Sequence, residues 1–128
     1  MRQPAAIDAA LRRRQSERAG LRAERLAELM LRLKFYRILA RRYKTPVGEI
    51  DLIARRGKRL AFVEVKLRRS QDDALEAITP RLRGRVRRAA EMWLARHDRG
   101  GRWHPAFDVV VVLPGQWPRH LKDAFPFE

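Results

Sequence analysis

The chain has 128 residues, 45% of them hydrophobic, and its thirty Lys and Arg against fifteen Asp and Glu give a formal net charge of +15. This length suits one compact domain with a real core, which excludes wholesale disorder and leaves too little chain for a second domain. The absence of cysteine excludes disulfides, zinc–cysteine sites and thiol catalysis.

The excess of positive charge indicates a polyanionic partner, and nucleic acid is the commonest one. An anionic membrane surface or an acidic protein is the alternative. Twenty-five of the thirty basic residues are Arg; genome composition can exchange Arg for Lys, but it does not create an excess of charge. No secretory signal is visible and no apolar run approaches the roughly 20 residues of a membrane span. We therefore expect a cytoplasmic protein with no membrane partner.

Residues 1–16 are basic and Ala-rich, with three consecutive arginines at 12–14. We predict a flexible, solvated extension, with a fraying helix or an arm lying on phosphates as alternatives. Ser16 is a candidate N-cap for a helix that runs to Lys34. Apolar residues recur in it at helical spacing: Ala23, Leu26, Ala27, Met30 and Leu31. Glu24 lies on the margin of that apolar face, where a carboxylate is either paired or functional.

Three strands are predicted next. Phe35–Tyr43 mixes aromatic and β-branched residues with Arg, and Thr45–Gly48 breaks the pattern because Pro and Gly punctuate regular structure. Glu49–Arg55 alternates as a strand does, and Leu60–Leu67 is a further strand. The short Gly-containing turn at Arg56–Lys58 joins these last two strands as an antiparallel hairpin.

A long basic helix follows. Ser70–Ile78 is irregular or a short helical piece, and Thr79–Pro80 has the N-cap and first-position proline of a helix that runs to about His97. Trp93 lies on the apolar face of this helix and is predicted to be a core residue, not a base-stacking platform. The histidines show no metal-ligand spacing and are interpreted as surface or packing residues: His97, His104 and His120.

Phe107–Leu113 is a nearly continuous apolar run, which predicts a strand buried on both faces in the middle of a sheet. Asp108 within it is expected to pair with an Arg, and a supporting role at a metal site is the alternative. The tail Pro114–Glu128 is expected to fold back over an edge or one end of the sheet. We predict an α/β fold, with a central mixed sheet that contains an antiparallel hairpin and is flanked by helices, in one domain over residues 17–128.

Alternation of side chains along the hairpin brings charged groups together. Glu64 and Lys66 share one face of the second strand. The opposite face is wholly apolar and is predicted to line the core: Ala61, Val63 and Val65. With a suitable hairpin register, Asp51 lies across from Glu64.

Two carboxylates that converge with a lysine have a clear chemical use. Mg²⁺ or Mn²⁺ takes oxygen ligands, and the bound ion lowers the pKa of a water and neutralises charge on phosphate oxygens. Lys66 could orient or deprotonate the attacking water, or hold the phosphate. The structural alternative is a cross-strand ion pair, with Asp51 bound to an Arg. The coincidence of Asp51, Glu64, Glu24 and a charge of +15 favours the metal site.

The segment Gly48–Ala54 (GEIDLIA), followed by Phe62–Lys66 (FVEVK), resembles the signature of the YraN family. This widespread bacterial family has a restriction-endonuclease-like fold, and the resemblance covers roughly residues 17–128. The two motifs are highly specific in combination. The resemblance therefore implies a nuclease fold that bears a carboxylate, then Asp, then Glu-x-Lys.

Carried over by position, the resemblance implies that Asp51 and Glu64 hold the metal and that the carbonyl of Val65 is a further ligand. Lys66 would be the catalytic lysine, and Glu24 would match the helix carboxylate that assists a metal or a ligating water. The sequence keeps both key carboxylates and the lysine, so no residue that the resemblance requires at the site has been lost.

Together these observations predict a Mg²⁺- or Mn²⁺-dependent endonuclease on DNA that is structure-directed or weakly sequence-selective, and a homodimer, since two-strand cleavage needs two sites. The alternatives are a non-catalytic nucleic-acid-binding module and an RNA- or ribosome-associated basic protein. Candidate phosphate contacts, which would position nucleic acid without reading its sequence, are Arg55, Arg68, Arg69, Arg81, Arg85 and Arg88.

Overall fold

The computed structural model describes residues 4–127 as a five-stranded sheet with helices on both faces. The elements are α1 (Pro4–Leu33), β1 (Arg37–Thr45), β2 (Gly48–Arg56), β3 (Arg59–Leu67), α2 (Gln71–Glu76), α3 (Pro80–His97), β4 (His104–Val112) and β5 (Arg119–Phe125). The strands lie side by side in chain order. Only β3 and β4 pair in parallel, and the other neighbours are antiparallel. The predicted mixed α/β class and the hairpin are confirmed.

Both faces of the sheet are buried, because α1 packs against one and α3 against the other. Ala27 of α1 and Val63 belong to the core on one face, and on the other face the ring of Trp93 of α3 packs edge-on against that of Phe62. Trp93 is thus a core residue, as predicted. The prediction that the face of Ala61 and Val63 lines a core is confirmed, and Phe62 on the opposite face is fully buried as well. The parallel β3–β4 connection carries α3 across the second face, as such crossovers do.

The first helix begins at Pro4, well before the predicted N-cap at Ser16. Residues 4–16 are rich in Ala and Arg, which favour helix even without tertiary packing. The buried positions of α1 all lie between Ala23 and Leu31, so its basic N-terminal half extends past the core. Residues 1–3 of the predicted flexible extension lie outside the described residues. The division of the chain into an extension and a domain stays a prediction.

α1 ends in a Schellman motif in which Phe35 has a left-handed φ of 67°. The Tyr36 N–H donates to the Leu31 carbonyl and the Phe35 N–H to the Arg32 carbonyl, each at 2.9 Å. Glycine usually occupies this position, because the left-handed conformation costs other residues about 1–2 kcal/mol. The sequence predicted that the first strand starts at Phe35. The reversal of the chain at Phe35 explains why β1 starts at Arg37 instead.

The C-terminal tail forms β5, which pairs antiparallel with β4 and confirms that the tail covers an edge of the sheet. Phe107 is opposite Phe125, and Val109 is opposite Leu121. β4 therefore has a neighbour on each side and a helix on each face. This explains why its apolar run is continuous and not alternating.

Gly48 lies where the β1–β2 turn touches α3. A Cβ at Gly48 would lie 1.8 Å from the backbone oxygen of Arg85, and no change of rotamer relieves a clash with backbone. We expect Gly48→Ala to lower the free energy of unfolding by about 1–3 kcal/mol. Gly84→Ala is the matched control, because Gly84 lies inside α3 and the atoms nearest to an added Cβ belong to the flexible Arg88 guanidinium. This substitution should stabilise the protein by about 0.5–1 kcal/mol. Urea denaturation with equal midpoints for both proteins would contradict this packing.

Candidate functional site

The start of β2 and the end of β3 meet at one end of the sheet, and the predicted site lies there. The register pairs Leu52 with Val63, and one further step places Asp51 across from Glu64, as predicted. The ladder stops at this point. Instead, the Val65 N–H donates to Asp51 Oδ2 at 2.8 Å. The Asp51 side chain takes the place of a backbone partner and is held toward β3.

The half-buried carboxyl group of Asp51 and the buried carboxyl group of Glu64 thereby lie side by side. Burial raises the pKa of Glu64 far above its usual range, and the neighbouring Asp51 carboxylate raises it further. Burial also raises the pKa of Asp51, although the hydrogen bond from Val65 opposes this. Lys66 Nζ lies 3.7 Å from Glu64 Oε1. One lysine therefore does not offset two neighbouring carboxylates, and without a further cation the two acids hold their protons more tightly than free side chains do.

A cleft of about 460 Å³ opens over these carboxylates. The sheet contributes Asp51, Glu64 and Lys66, and the opposite wall is the middle of α1. Ala19 and Gly20 form part of that wall, and their small size leaves room above the carboxylates. The helix predicted from Ser16 onward includes this wall, and Ser16 itself lines the cleft. The sequence did not show that the helix packs opposite the carboxylates.

Glu24 lines the same cleft and is also paired. Arg42 donates from Nη2 to Glu24 Oε2 at 3.1 Å and from Nε to Glu24 Oε1 at 3.3 Å. Arg42 has a left-handed φ of 48° and lies on β1 between the partners of Leu52 and Ile50, beside Asp51. The sequence prediction missed Arg42, because its contact with Glu24 depends on how α1 packs on the sheet.

The oxygen donors of this cleft suit a hard divalent cation. Asp51 Oδ2 is occupied by the Val65 N–H, which leaves Oδ1 and the Glu64 carboxylate to face a ligand. Among residues 4–127, no group of three or more His, Cys, Asp or Glu side chains is arranged to hold a metal ion. Mg²⁺ is often held by one or two carboxylates, with waters and substrate phosphate completing its shell. The pair fits that donor set, and Val65 is part of the same cleft lining.

The arginines predicted to contact phosphate are divided between the two ends of the sheet. Arg68 lines the cleft, and Arg69 follows it on the surface. On α3, Arg88 Nε donates to the Val47 carbonyl at 3.3 Å. The backbone of Arg85 packs on Gly48. This places Arg85 and Arg88 at the cleft end of the sheet.

Arg81 is exposed on the first turn of the same helix, and Arg55 lies elsewhere. The Arg55 guanidinium is 5.1 Å from the centre of the Trp103 ring and donates to the Gly57 carbonyl. Arg55 therefore has intramolecular partners at the far end of β2. Contact of any of these arginines with nucleic acid stays a prediction.

Asp108 pairs with an arginine, as predicted, and does not line the cleft. Arg59 donates two hydrogen bonds to its carboxylate, at 2.6 and 2.7 Å. The Asp123 N–H donates a third, and His120 Nε2 lies 2.7 Å from Asp108 Oδ2. His120 Nδ1 faces Lys34 Nζ at 2.6 Å. An ammonium only donates and a carboxylate only accepts, so neutral His120 carries its proton on Nε2.

A family profile described as "Uncharacterised protein family UPF0102" matches residues 23–112, which include Glu24, Asp51, Glu64 and Lys66. The chain belongs to this family, the YraN family. A UPF0102 protein of Parvibaculum lavamentivorans is 56% identical over 84% of this chain and 81% of its own. One of Methylorubrum extorquens is 53% identical over 100% and 98%, and one of Mesorhizobium japonicum is 52% identical over 88% and 90%. In residues 4–127 of this YraN-family protein, no helix is long and apolar enough to cross a membrane.

Proposed function

We propose that this YraN-family protein is a metal-dependent nuclease with a restriction-endonuclease-like fold that hydrolyses phosphodiester bonds in nucleic acid, with DNA as the favoured substrate. The observation that carries the proposal is the pair formed by half-buried Asp51 and buried Glu64 beside Lys66 in the lining of a cleft. A structural ion pair needs one carboxylate for one lysine. Burying a second carboxylate costs free energy unless a cation compensates it, which supports a metal function.

Each side chain of the site would have a separate role in hydrolysis. Asp51 and Glu64 would hold Mg²⁺ or Mn²⁺, with the Val65 carbonyl as a further ligand. When bound, the ion supplies positive charge against the phosphate and makes a water more acidic. Lys66 would place its ammonium against the charge that develops on the phosphate oxygens. Glu24, held by Arg42, would orient the attacking water.

The charge distribution supports a nucleic-acid substrate. Arg68 lies in the cleft lining, and the exposed surface of α3 carries further arginines at the same end of the sheet. Contacts from arginine to phosphate position a substrate without reading its sequence. We therefore propose structure-directed or weakly selective cleavage, by a homodimer where both strands of a duplex are cut.

The test is cleavage of a panel of labelled nucleic acids: duplex, single strand, flap and four-way junction DNA, and single-stranded RNA. We expect products with Mg²⁺ or Mn²⁺ and none with EDTA. If no substrate is cut and binding does not respond to metal, the protein is a binding module and the proposal fails. If it prefers RNA in competition and cuts nothing, an RNA-associated role replaces it.

A further inference from the structure

Phe35 is a large apolar residue that contributes nothing to either core. Its side chain is 86% exposed, and its φ of 67° is in the region that favours glycine. The Schellman motif at this position is held by backbone hydrogen bonds, which glycine would form with less strain. A residue that strains the backbone and buries no surface is expected to act through a partner.

The surface next to Phe35 is strongly basic. The Arg56 guanidinium donates to the Lys34 carbonyl at 3.2 Å and lies 4.7 Å from the centre of the Tyr36 ring, which holds it beside Phe35. Burial lowers the pKa of Lys34, and the positive charges of Lys122 and Arg56 lower it further. Cations held this close repel one another, and an anion bound between them would relieve that repulsion.

The buried carboxylate nearby does not neutralise this surface. Asp108 raises the pKa of Lys34, but its side chain is fully buried and is bonded by Arg59 and His120. The Arg56 and Lys122 side chains lie on residues that are exposed. The Phe35 ring, Arg56 and Lys122 are therefore exposed to solvent together, while half-buried Lys34 beside them gives one ammonium hydrogen to His120 Nδ1.

We propose that Phe35, Lys34, Arg56 and Lys122 form a binding site for single-stranded nucleic acid. A base stacks on the Phe35 ring, and the phosphates on either side contact the three cations. Stacking platforms beside basic residues are the common composition of single-strand-binding surfaces, and they tolerate any sequence because every base has a π-face. A second copy of this chain would fit Phe35 and the exposed Leu33, but it would bring the same cations together.

This site is separate from the candidate nuclease site. Asp51 and Arg56 lie on the same strand, five positions apart (56 − 51), which corresponds to about 17 Å along an extended chain. The two sites lie at opposite ends of the sheet. Single-strand binding at Phe35 can therefore be measured whether or not the cleft cuts nucleic acid.

The experiment is fluorescence anisotropy with a labelled oligothymidine of about 12 nucleotides, in EDTA so that no metal is bound. We expect Phe35→Gly to weaken binding roughly 5- to 100-fold, because loss of one stacked base has an effect of that size. Phe35→Tyr should keep the affinity within about 3-fold, since it keeps the ring. Lys122→Gln should lower the slope of log affinity against log salt by about 0.7, as loss of one phosphate contact does.

Two controls distinguish base stacking on Phe35 from a loss of folding and from a general loss of apolar surface. The melting temperature of Phe35→Gly should equal or exceed that of the original protein, because glycine relieves the left-handed strain. Leu33→Ala removes exposed apolar surface without a π-face and should leave the affinity unchanged. Unaltered oligothymidine binding by Phe35→Gly overturns the proposal. A change of oligomeric state in sedimentation, with binding unaltered, assigns the surface to a second copy of the chain instead.

Discussion

Replacing Glu64 by glutamine should reduce metal-dependent cleavage roughly 10²- to 10³-fold or more, the size of effect seen when one transition-state-stabilising group is lost. Glutamine has nearly the same shape, so the buried position stays filled, but it is a poor ligand for a hard cation. Lys66→Met should have an effect of the same order, because it removes the ammonium and keeps an apolar stem. Initial cleavage rates on the best substrate of the panel measure both.

Measurements of substrate binding and a control substitution show whether a loss of cleavage reflects the loss of a catalytic group. Both variants should bind substrate in EDTA as the original protein does. Glu91→Gln makes the same chemical change at an exposed position of α3 and should leave the rate within about 2-fold, as surface substitutions away from special features do. If Glu64→Gln cuts at the original rate, the carboxylate pair is not the catalytic centre.

The same substitution has a consequence for the dependence of stability on pH. The pKa of Glu64 is raised, chiefly by burial and then by Asp51, so the folded metal-free protein holds this proton more tightly than the unfolded chain. The contribution to stability is complete below the ordinary Glu value of 4.5 and is lost as pH rises through the raised pKa. Urea denaturation in EDTA should show this fall for the original protein. Glu64→Gln should flatten it, and an identical fall in both proteins would contradict the assignment.

The hairpin shows what sequence alone predicts well. Alternation and a short Gly-containing turn are local signals, and they predicted the hairpin. The register, which pairs Leu52 with Val63 and so brings Asp51 across from Glu64, was left open by the sequence and comes from the structure. The start of α1 was predicted wrongly because the apolar pattern marks only the part of the helix that packs on the sheet, and the part that extends past the core has no such pattern. Ser16 looks like an N-cap, yet the chain before it already favours helix, and α1 begins at Pro4.

Contacts between residues that are distant in the sequence could not be predicted from local patterns. The sequence shows that Asp108 needs a cationic partner, but it does not show that this is Arg59 on a parallel strand. Nor does it connect His120 to Lys34, which lies 86 residues away. The left-handed φ of Phe35 is hidden for another reason: its residue type points to a strand, while the end of α1 imposes a turn.

Asp108→Ala should lower the free energy of unfolding by about 3–5 kcal/mol, the cost of removing one partner from a buried ion pair. The carboxylate accepts hydrogen bonds from Arg59, from His120 and from the Asp123 backbone. Alanine would leave these donors without an acceptor and would also leave the charge of Arg59 uncompensated. The network connects β3, β4, β5 and, through Lys34, the end of α1. Chemical denaturation of Asp108→Ala should therefore show one cooperative unfolding transition with a lower midpoint.

Asp123→Asn is the matched control, because this carboxylate is 73% exposed and lies 3.4 Å from the same arginine. Asparagine also tolerates the left-handed φ of 50° at this position. An exposed pair of this kind contributes at most about 1 kcal/mol. If the two substitutions destabilise equally, burial is not what makes the Asp108 network important.

Acid should reproduce part of the loss without any mutation. Burial raises the pKa of Asp108, but the hydrogen bonds from Arg59, His120 and Asp123 outweigh it and lower the pKa to about 2, from an ordinary value of 3.8. A lowered carboxylate pKa contributes stability that is present above the ordinary value and lost as pH falls through about 2. That difference corresponds to on the order of 2 kcal/mol, less than the loss in Asp108→Ala, because a protonated carboxyl still accepts hydrogen bonds. Between pH 4 and 2 the original protein should therefore lose stability that Asp108→Ala has already lost, and parallel curves for the two proteins would show that Asp108 does not carry the acid sensitivity.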